Sequence, residues 1–208
     1  MSGLRERKKL ETRETIAQAA ATLFAERGFA AVTVDDVAAA ANVSRQTVFN
    51  YFPTKEQMLF DRDAVVEAAL LAATREQSTG AGLVDGFRTH TRGFWTRLDS
   101  ILRNGPLPPG FWEIVEPNPD LRDYLEATFA RQAGSVARQL AAERGRPEDD
   151  PFLHALARAL CGVNSAILTT GLHRLTRGDD PHKTVNEMLE AADQAYDLLQ
   201  HGIEAHVE

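Results

Sequence analysis

The sequence predicts an all-α chain, in which a short head of closely punctuated helices precedes a bundle of longer ones. Three observations predict it. Apolar residues recur at three- and four-residue spacing in almost every segment, the period of an amphipathic helix. Two-residue alternation, the mark of a half-buried strand, is nowhere convincing. Ser, Thr, Asp and Gly stand at the segment ends, where the unpaired backbone groups of a helix need caps.

The first helix is expected from about Leu4 to Arg27, with Ile16, Ala20, Leu23 and Phe24 on one face and Gly28 closing it. Thr33 with Asp36 forms a capping box, and Asp35 and Asp36 suit the positive end of a short helix from Val34 to Ala40. Asn42 suits a left-handed turn residue. Ser44 then caps a helix from Arg45 to Tyr51, which stops before Pro53. Thr54 with Gln57 opens a long helix expected to run unbroken from Lys55 to Gln77. The stretch Ser78-Thr79-Gly80-Ala81-Gly82 reads as a linker.

Beyond it, a helix from Leu83 to Leu102 carries Phe87, Phe94, Leu98 and Ile101. Residues 103–120 read as a proline-rich loop, apolar enough to be buried against something. Three long helices complete the chain: Leu121 to Arg144, Phe152 to Arg177, and a last one after Pro181. About nine helices result, with no internal repeat.

Composition narrows the class. The 208 residues are 43% apolar and 25% charged, ordinary globular usage that argues against a wholly disordered chain. No apolar run is expected to approach the ~18 residues of a membrane span, and the N-terminus is too polar for a signal-peptide core. One cysteine, Cys161, excludes an intrachain disulfide framework and a cysteine-clustered zinc site. A soluble, cytoplasmic protein without cofactor or metal is expected. The net charge of -7 is unevenly placed. Residues 1–60 hold eight basic and seven acidic residues, net +1, whereas the other 148 hold 15 and 23, net -8. Only the local field meets a phosphate, so the total does not exclude a nucleic-acid partner.

Residues 33–52 form a helix-turn-helix candidate. Ala38 is small where two helices cross closely, and Val37, Val43 and Val48 are apolar where the pair packs on the first helix. At 100° per residue, Val48 and Phe52 define the buried side of the second helix. Gln46 and Asn50 project to the opposite side, Thr47 and Phe49 flank them, and Arg45 stands in the first turn, where a recognition helix enters a groove. Arg, Gln and Asn can each make paired hydrogen bonds to base edges. The alternative is a solvent-facing helix with ordinary polar filler. For enzymes, HExxH, GxSxG, GxxxxGK and GxGxxG patterns are all missing. An enzyme is therefore not expected.

The run VTVDDVAAAANVSRQTVFNYFPTKEQML resembles the DNA-binding domain of the TetR family of bacterial transcriptional regulators, over roughly residues 10–60. The match includes the hydrophobic-Ala pattern of the first motif helix, the Val-Ser opening of the second, and the Tyr-Phe-Pro-x-Lys-Glu segment. The resemblance implies a DNA-binding domain at 1–54 and a ligand-binding and dimerisation domain at 55–208. It also implies base reading by Arg45, Gln46, Phe49 and Asn50, and phosphate contacts by Thr33, Thr47, Tyr51 and Lys55. Phe49 stands where the family commonly has Tyr, which favours contact with a thymine methyl. Asn42 stands where Gly is usual. The basic residues near the N-terminus offer further phosphate or minor-groove contacts, or simply a frayed, solvated helix start.

The resemblance further implies a homodimer on a double-stranded operator, since two recognition helices must meet two half-sites. The last two helices are the interface candidates, through Leu156, Leu160, Val163, Ile167, Met188, Ala192, Tyr196 and Leu199. The same stripes also suit the core of one protomer. An effector pocket is expected among Phe87, His90, Phe94, Trp95, Phe111, Trp112, Phe129 and Cys161, which suits a largely apolar small molecule, although aromatics at this spacing also suit a packed core. Two readings stand: a ligand-responsive repressor released from its operator, or a non-enzymatic helical ligand- or protein-binding module without operator specificity. The second leaves the polar face of Arg45–Tyr51 unexplained.

Overall fold

A computed structural model of the chain describes residues 2–75, 79–102 and 111–207; the side chains of residues 2–4, 6, 111, 112 and 203–207 lie outside that description. All ten regular elements among the described residues are α-helices. They form two compact units. The head comprises Met1–Asp63 with Pro108–Tyr124, and the body comprises Ala64–Leu107 with Leu125–Glu208. The division differs from a boundary at 54/55, because α4 (Lys55–Leu59) and α7 (Phe111–Val115) both pack on α1 (Ser2–Arg27).

In the head, α1 buries Ile16, Ala20, Leu23 and Phe24 against Val37 of α2 (Val34–Ala40) and Val48 of α3 (Arg45–Tyr51). Each end is capped as its residue types require. Gly28 takes φ 80°, and Asn42 takes φ 53° in the turn between α2 and α3. Thr33 and Asp36 form both halves of the capping box, and Ser44 accepts from the Thr47 amide at 3.0 Å. Such caps contribute about 1 kcal/mol each.

Three expectations need correction. The helix from Lys55 to Gln77 is two helices, α4 and α5 (Asp63–Thr74), separated by a turn at Phe60–Arg62. Both pieces keep the helical period, so sequence periodicity runs through the break. The tertiary structure imposes it: Phe60 is buried, its ring 4.7 Å from that of Tyr124, and Arg13 of α1 donates to the Asp61 carbonyl at 3.1 Å. Gly80-Ala81-Gly82 is the first turn of α6 (Gly80–Leu102) rather than a linker, with the Gly82 amide donating to the Thr79 hydroxyl at 3.1 Å. The apolar loop contains α7, whose Val115 is fully buried and whose Ile114 packs on the head core; residues 103–110 of that loop lie outside the described residues.

The body is built on α6, α8 (Pro119–Glu143), α9 (Pro151–Thr176) and α10 (Pro181–Val207), with the head/body division falling inside α8. Leu83, Val84 and Phe87 of α6 share one core with Val136 and Leu140 of α8, Leu160 of α9 and Tyr196 of α10. A buried polar chain crosses it. Thr91 donates to the Asn164 side-chain oxygen at 2.9 Å and lies 2.9 Å from the Tyr196 hydroxyl, so α6, α9 and α10 meet at three satisfied groups. At the rim, Arg88 bonds Asp197 at 2.7 Å and Arg92 pairs with Asp193, joining α6 to α10. By length and composition α9 is apolar enough to cross a membrane, yet only 33% of that apolar stretch is buried.

Gly86 sets the approach of α5 to α6, since a Cβ there would stand 2.1 Å from the Ala73 carbonyl oxygen. Backbone cannot yield as a side chain can. Gly86→Ala is expected to destabilise the body by roughly 1–3 kcal/mol, read as a lower urea midpoint at fixed protein concentration. A variant as stable as the parent would show that the two helices separate at no cost.

Candidate DNA-recognition surface

The face that α3 turns outward begins with what it buries. Val48 has no accessible surface and neither has Phe52 at the helix C-cap, so the rotation of α3 about its axis is set by the core. Arg45, Gln46, Phe49 and Asn50 are consequently exposed together. They are already engaged with neighbours. Arg45 donates to Asp35 at 3.0 Å and lies 5.5 Å from the Phe49 ring centroid, while Gln46 donates to Asn50 at 3.1 Å. Asp35 is a partner of Arg45 that the sequence does not reveal, because ten residues separate the two and no periodicity relates them.

The four phosphate candidates divide. Thr33 is the exposed N-cap of α2, and its amide and hydroxyl both donate to Asp36, holding that carboxyl below its ordinary pKa. Thr47 is half-buried, with its hydroxyl 2.7 Å from that of Ser44. Tyr51 is half-buried at the end of α3. Lys55 turns inward: its ammonium donates to the Phe29 carbonyl at 2.6 Å and the Val32 carbonyl at 3.0 Å, and lies 4.1 Å from the Phe29 ring centroid. Burial lowers its pKa. With two of three protons on backbone carbonyls, it holds the turn between α1 and α2 to the start of α4.

The residues assigned to an effector pocket separate into distinct surroundings. Phe87 and Cys161 lie in the main body core. Phe94 and Trp95 pack with Leu98, Val185 and Met188 in a second cluster. His90 is half-buried, its pKa lowered by burial and then by Arg97. Phe129 is half-buried on α8, and the side chains of Phe111 and Trp112 lie outside the described residues. Burial pushes the Cys161 thiol up to about 12, which leaves it protonated and inert at neutral pH. Trp95 is fully buried and its indole N–H has no hydrogen-bond partner among the described residues.

The interface candidates divide likewise. Leu156, Leu160, Met188, Ala192 and Tyr196 are buried within the protomer, and Val163, Ile167 and Leu199 are half-buried. The outward side of α9 instead shows Ala155, Ala159, Gly162 and Ala166. Separately, a cleft of about 480 Å³ opens in the head between the end of α1 and the α7–α8 turn, lined by Phe24, Phe29 and Ile114 with Glu113 and Asn118. Among the described residues no cluster of His, Cys, Asp or Glu is arranged to hold a metal.

The family model for bacterial regulatory proteins of the tetR family matches residues 16–61, from the buried part of α1 to the turn after α4. The HTH-type transcriptional regulator TcmR of Streptomyces glaucescens is 30% identical over 154 residues, covering 72% of this chain and 68% of its own. EthR of Mycolicibacterium smegmatis is 26% identical over 167 residues, covering 78% and 76%. Among solved structures, the SmeT–triclosan complex superposes with a TM-score of 0.57 at 21% identity, over 95% of this chain and 94% of that one. Salmonella enterica GusR gives 0.53 at 21%, over 94% and 96%. The fold and its head define a helix-turn-helix, DNA-binding transcriptional regulator. The chain belongs to the TetR family.

The Arg45–Asp35 pair is exposed on both sides, so it is weak and must rearrange if Arg45 is to reach a base. Asp35→Asn removes a carboxylate beside the candidate surface and releases Arg45. DNA affinity is expected to rise several-fold, on the order of 0.5–1 kcal/mol, in fluorescence anisotropy at fixed salt. Weaker binding would show instead that Asp35 orients Arg45 for its contact.

Proposed function

We propose that this protein is a cytoplasmic, non-enzymatic repressor that binds an operator as a homodimer and is released by a small, largely apolar effector. The observation that carries the reading is the outward face of α3, where Arg45, Gln46, Phe49 and Asn50 stand together on a helix held by the wholly buried Val48. Arg and Gln suit guanine and adenine edges, Asn suits adenine, and the Phe49 ring suits a thymine methyl. Thr33, Thr47 and Tyr51 border that face and supply phosphate contacts.

Support for the effector comes from the body. Aromatic and apolar side chains on α6 and α9 form its interior, and the Trp95 N–H, without a partner among the described residues, offers a donor to an effector's oxygen. SmeT, which shares the fold, was solved with triclosan. Release requires that the effector bind the DNA-incompetent arrangement more tightly than the competent one.

The dimer is assigned to the outward faces of the last two helices. Ala155, Ala159, Gly162 and Ala166 permit close approach, Val163 and Ile167 flank them on α9, and Leu198 stands 77% exposed on α10. Covering such surfaces in a second copy explains an apolar α9 that is largely unburied in one.

Two measurements test the reading. With the DNA upstream of its own coding sequence as probe, binding should weaken as salt rises, and Arg45→Ala or Gln46→Ala should each cost about 1–3 kcal/mol against that probe while leaving scrambled duplex unaffected. Equal affinity for every duplex would favour the module without operator specificity. For the dimer, Ala159→Arg places a charge in the interface and should give monomers in sedimentation equilibrium with unchanged helicity. A variant that stays dimeric would move the interface elsewhere.

A further inference from the structure

We infer that Arg13 is a positioning residue for the recognition helix, acting from inside the head and not as a phosphate contact; the inference rests on the operator-reading function proposed above. Arg13 lies on α1, half-buried, next to the basic residues near the N-terminus whose sequence allows either phosphate contacts or a solvated helix start. Its guanidinium points into the head. Nη1 donates to the Tyr51 carbonyl at 3.2 Å and Nη2 to the Asp61 carbonyl at 3.1 Å, 38 and 48 residues away along the chain. Its central carbon also lies 4.2 Å from the centroid of the buried Phe52 ring.

One of those carbonyls closes a short helix and the other lies in a turn. Tyr51 is the last residue of α3, Phe52 is its C-cap, and Pro53 comes next, so the helix ends there and its last carbonyls must find partners outside it. Asp61 lies in the turn that separates α4 from α5. One planar fork therefore ties the end of the recognition helix and the turn after α4 to the same point on α1. The ring of Phe52 fixes the plane of the fork by a cation–π contact. A planar fork reaches both carbonyls in one fixed plane and stacks flat on the ring, a geometry that the compact ammonium of a lysine at the same position does not reproduce. The tilt of α3, and with it the direction in which Arg45, Gln46 and Asn50 face, depends on this tie.

The test uses the full-length protein and two duplexes: one enriched by the wild type from a random pool, and a scrambled control. Arg13→Gln is expected to lose about tenfold in affinity for the enriched duplex, from two lost hydrogen bonds, and Arg13→Lys, which loses the planar fork, several-fold. Affinity for the scrambled duplex and the slope of log K against log salt should stay as in the wild type. Circular dichroism melts identify the temperature at which both variants are folded. Three results would overturn the inference alone: unchanged affinity for the enriched duplex, equal losses on both duplexes, or a slope reduced by ~0.9 in Arg13→Gln and restored in Arg13→Lys. The last is the mark of a direct phosphate contact. A wild type that enriches no sequence would overturn the operator-reading function, and this inference with it.

Discussion

The complete burial of Val48 and Phe52 is the constraint on which the recognition surface depends. A helix of seven residues makes too few internal hydrogen bonds to be stable alone. It persists because one side is part of the core formed by Ile16, Ala20 and Phe24 of α1. With that side committed, geometry leaves no freedom in the other: residues about 160° from Val48 must face solvent, and these are Gln46 and Asn50. The head thus presents polar side chains from a rigid support, which lowers the ordering that binding would otherwise require.

The charged groups of the head divide between support and surface. Arg13 and Lys55 both point at backbone carbonyls that short helices and turns leave exposed, and both lie against aromatic rings. Neither is legible as structural from composition, because a basic residue in a DNA-binding head suggests phosphate first. Arg45 remains at the surface, held by an exposed carboxylate that is easily exchanged. The body solves a different problem. Its long helices supply ample apolar area, and the chain of Thr91, Asn164 and Tyr196 then restricts how α6, α9 and α10 can slide past one another.

Much of the head was legible because its information is local. The ends of α2 and α3, the caps at Thr33 and Ser44 and the positive φ of Asn42 each follow from residue types within four positions. The exposed set on α3 follows from periodicity alone. What was missed lies where distant segments meet. The turn at Phe60–Arg62 depends on Tyr124 and Arg13, and the inward course of Lys55 depends on Phe29 and Val32. The stripe of Leu156, Leu160 and Tyr196 was open to two uses, the protomer's own core or a partner, and periodicity cannot separate them.

The sequence by itself determined the helical class, the bounds of the recognition helix and which of its side chains face outward. Capping and amphipathic period are short-range properties, carried by residues adjacent in the chain or one turn apart. Only the tertiary structure decided which basic groups support the head and which remain at its surface. It also decided where the helix after Lys55 breaks, and which apolar stripes are consumed within one protomer. Each of those outcomes turns on a carbonyl or a ring brought close from tens of residues away, as with the two carbonyls that Arg13 joins.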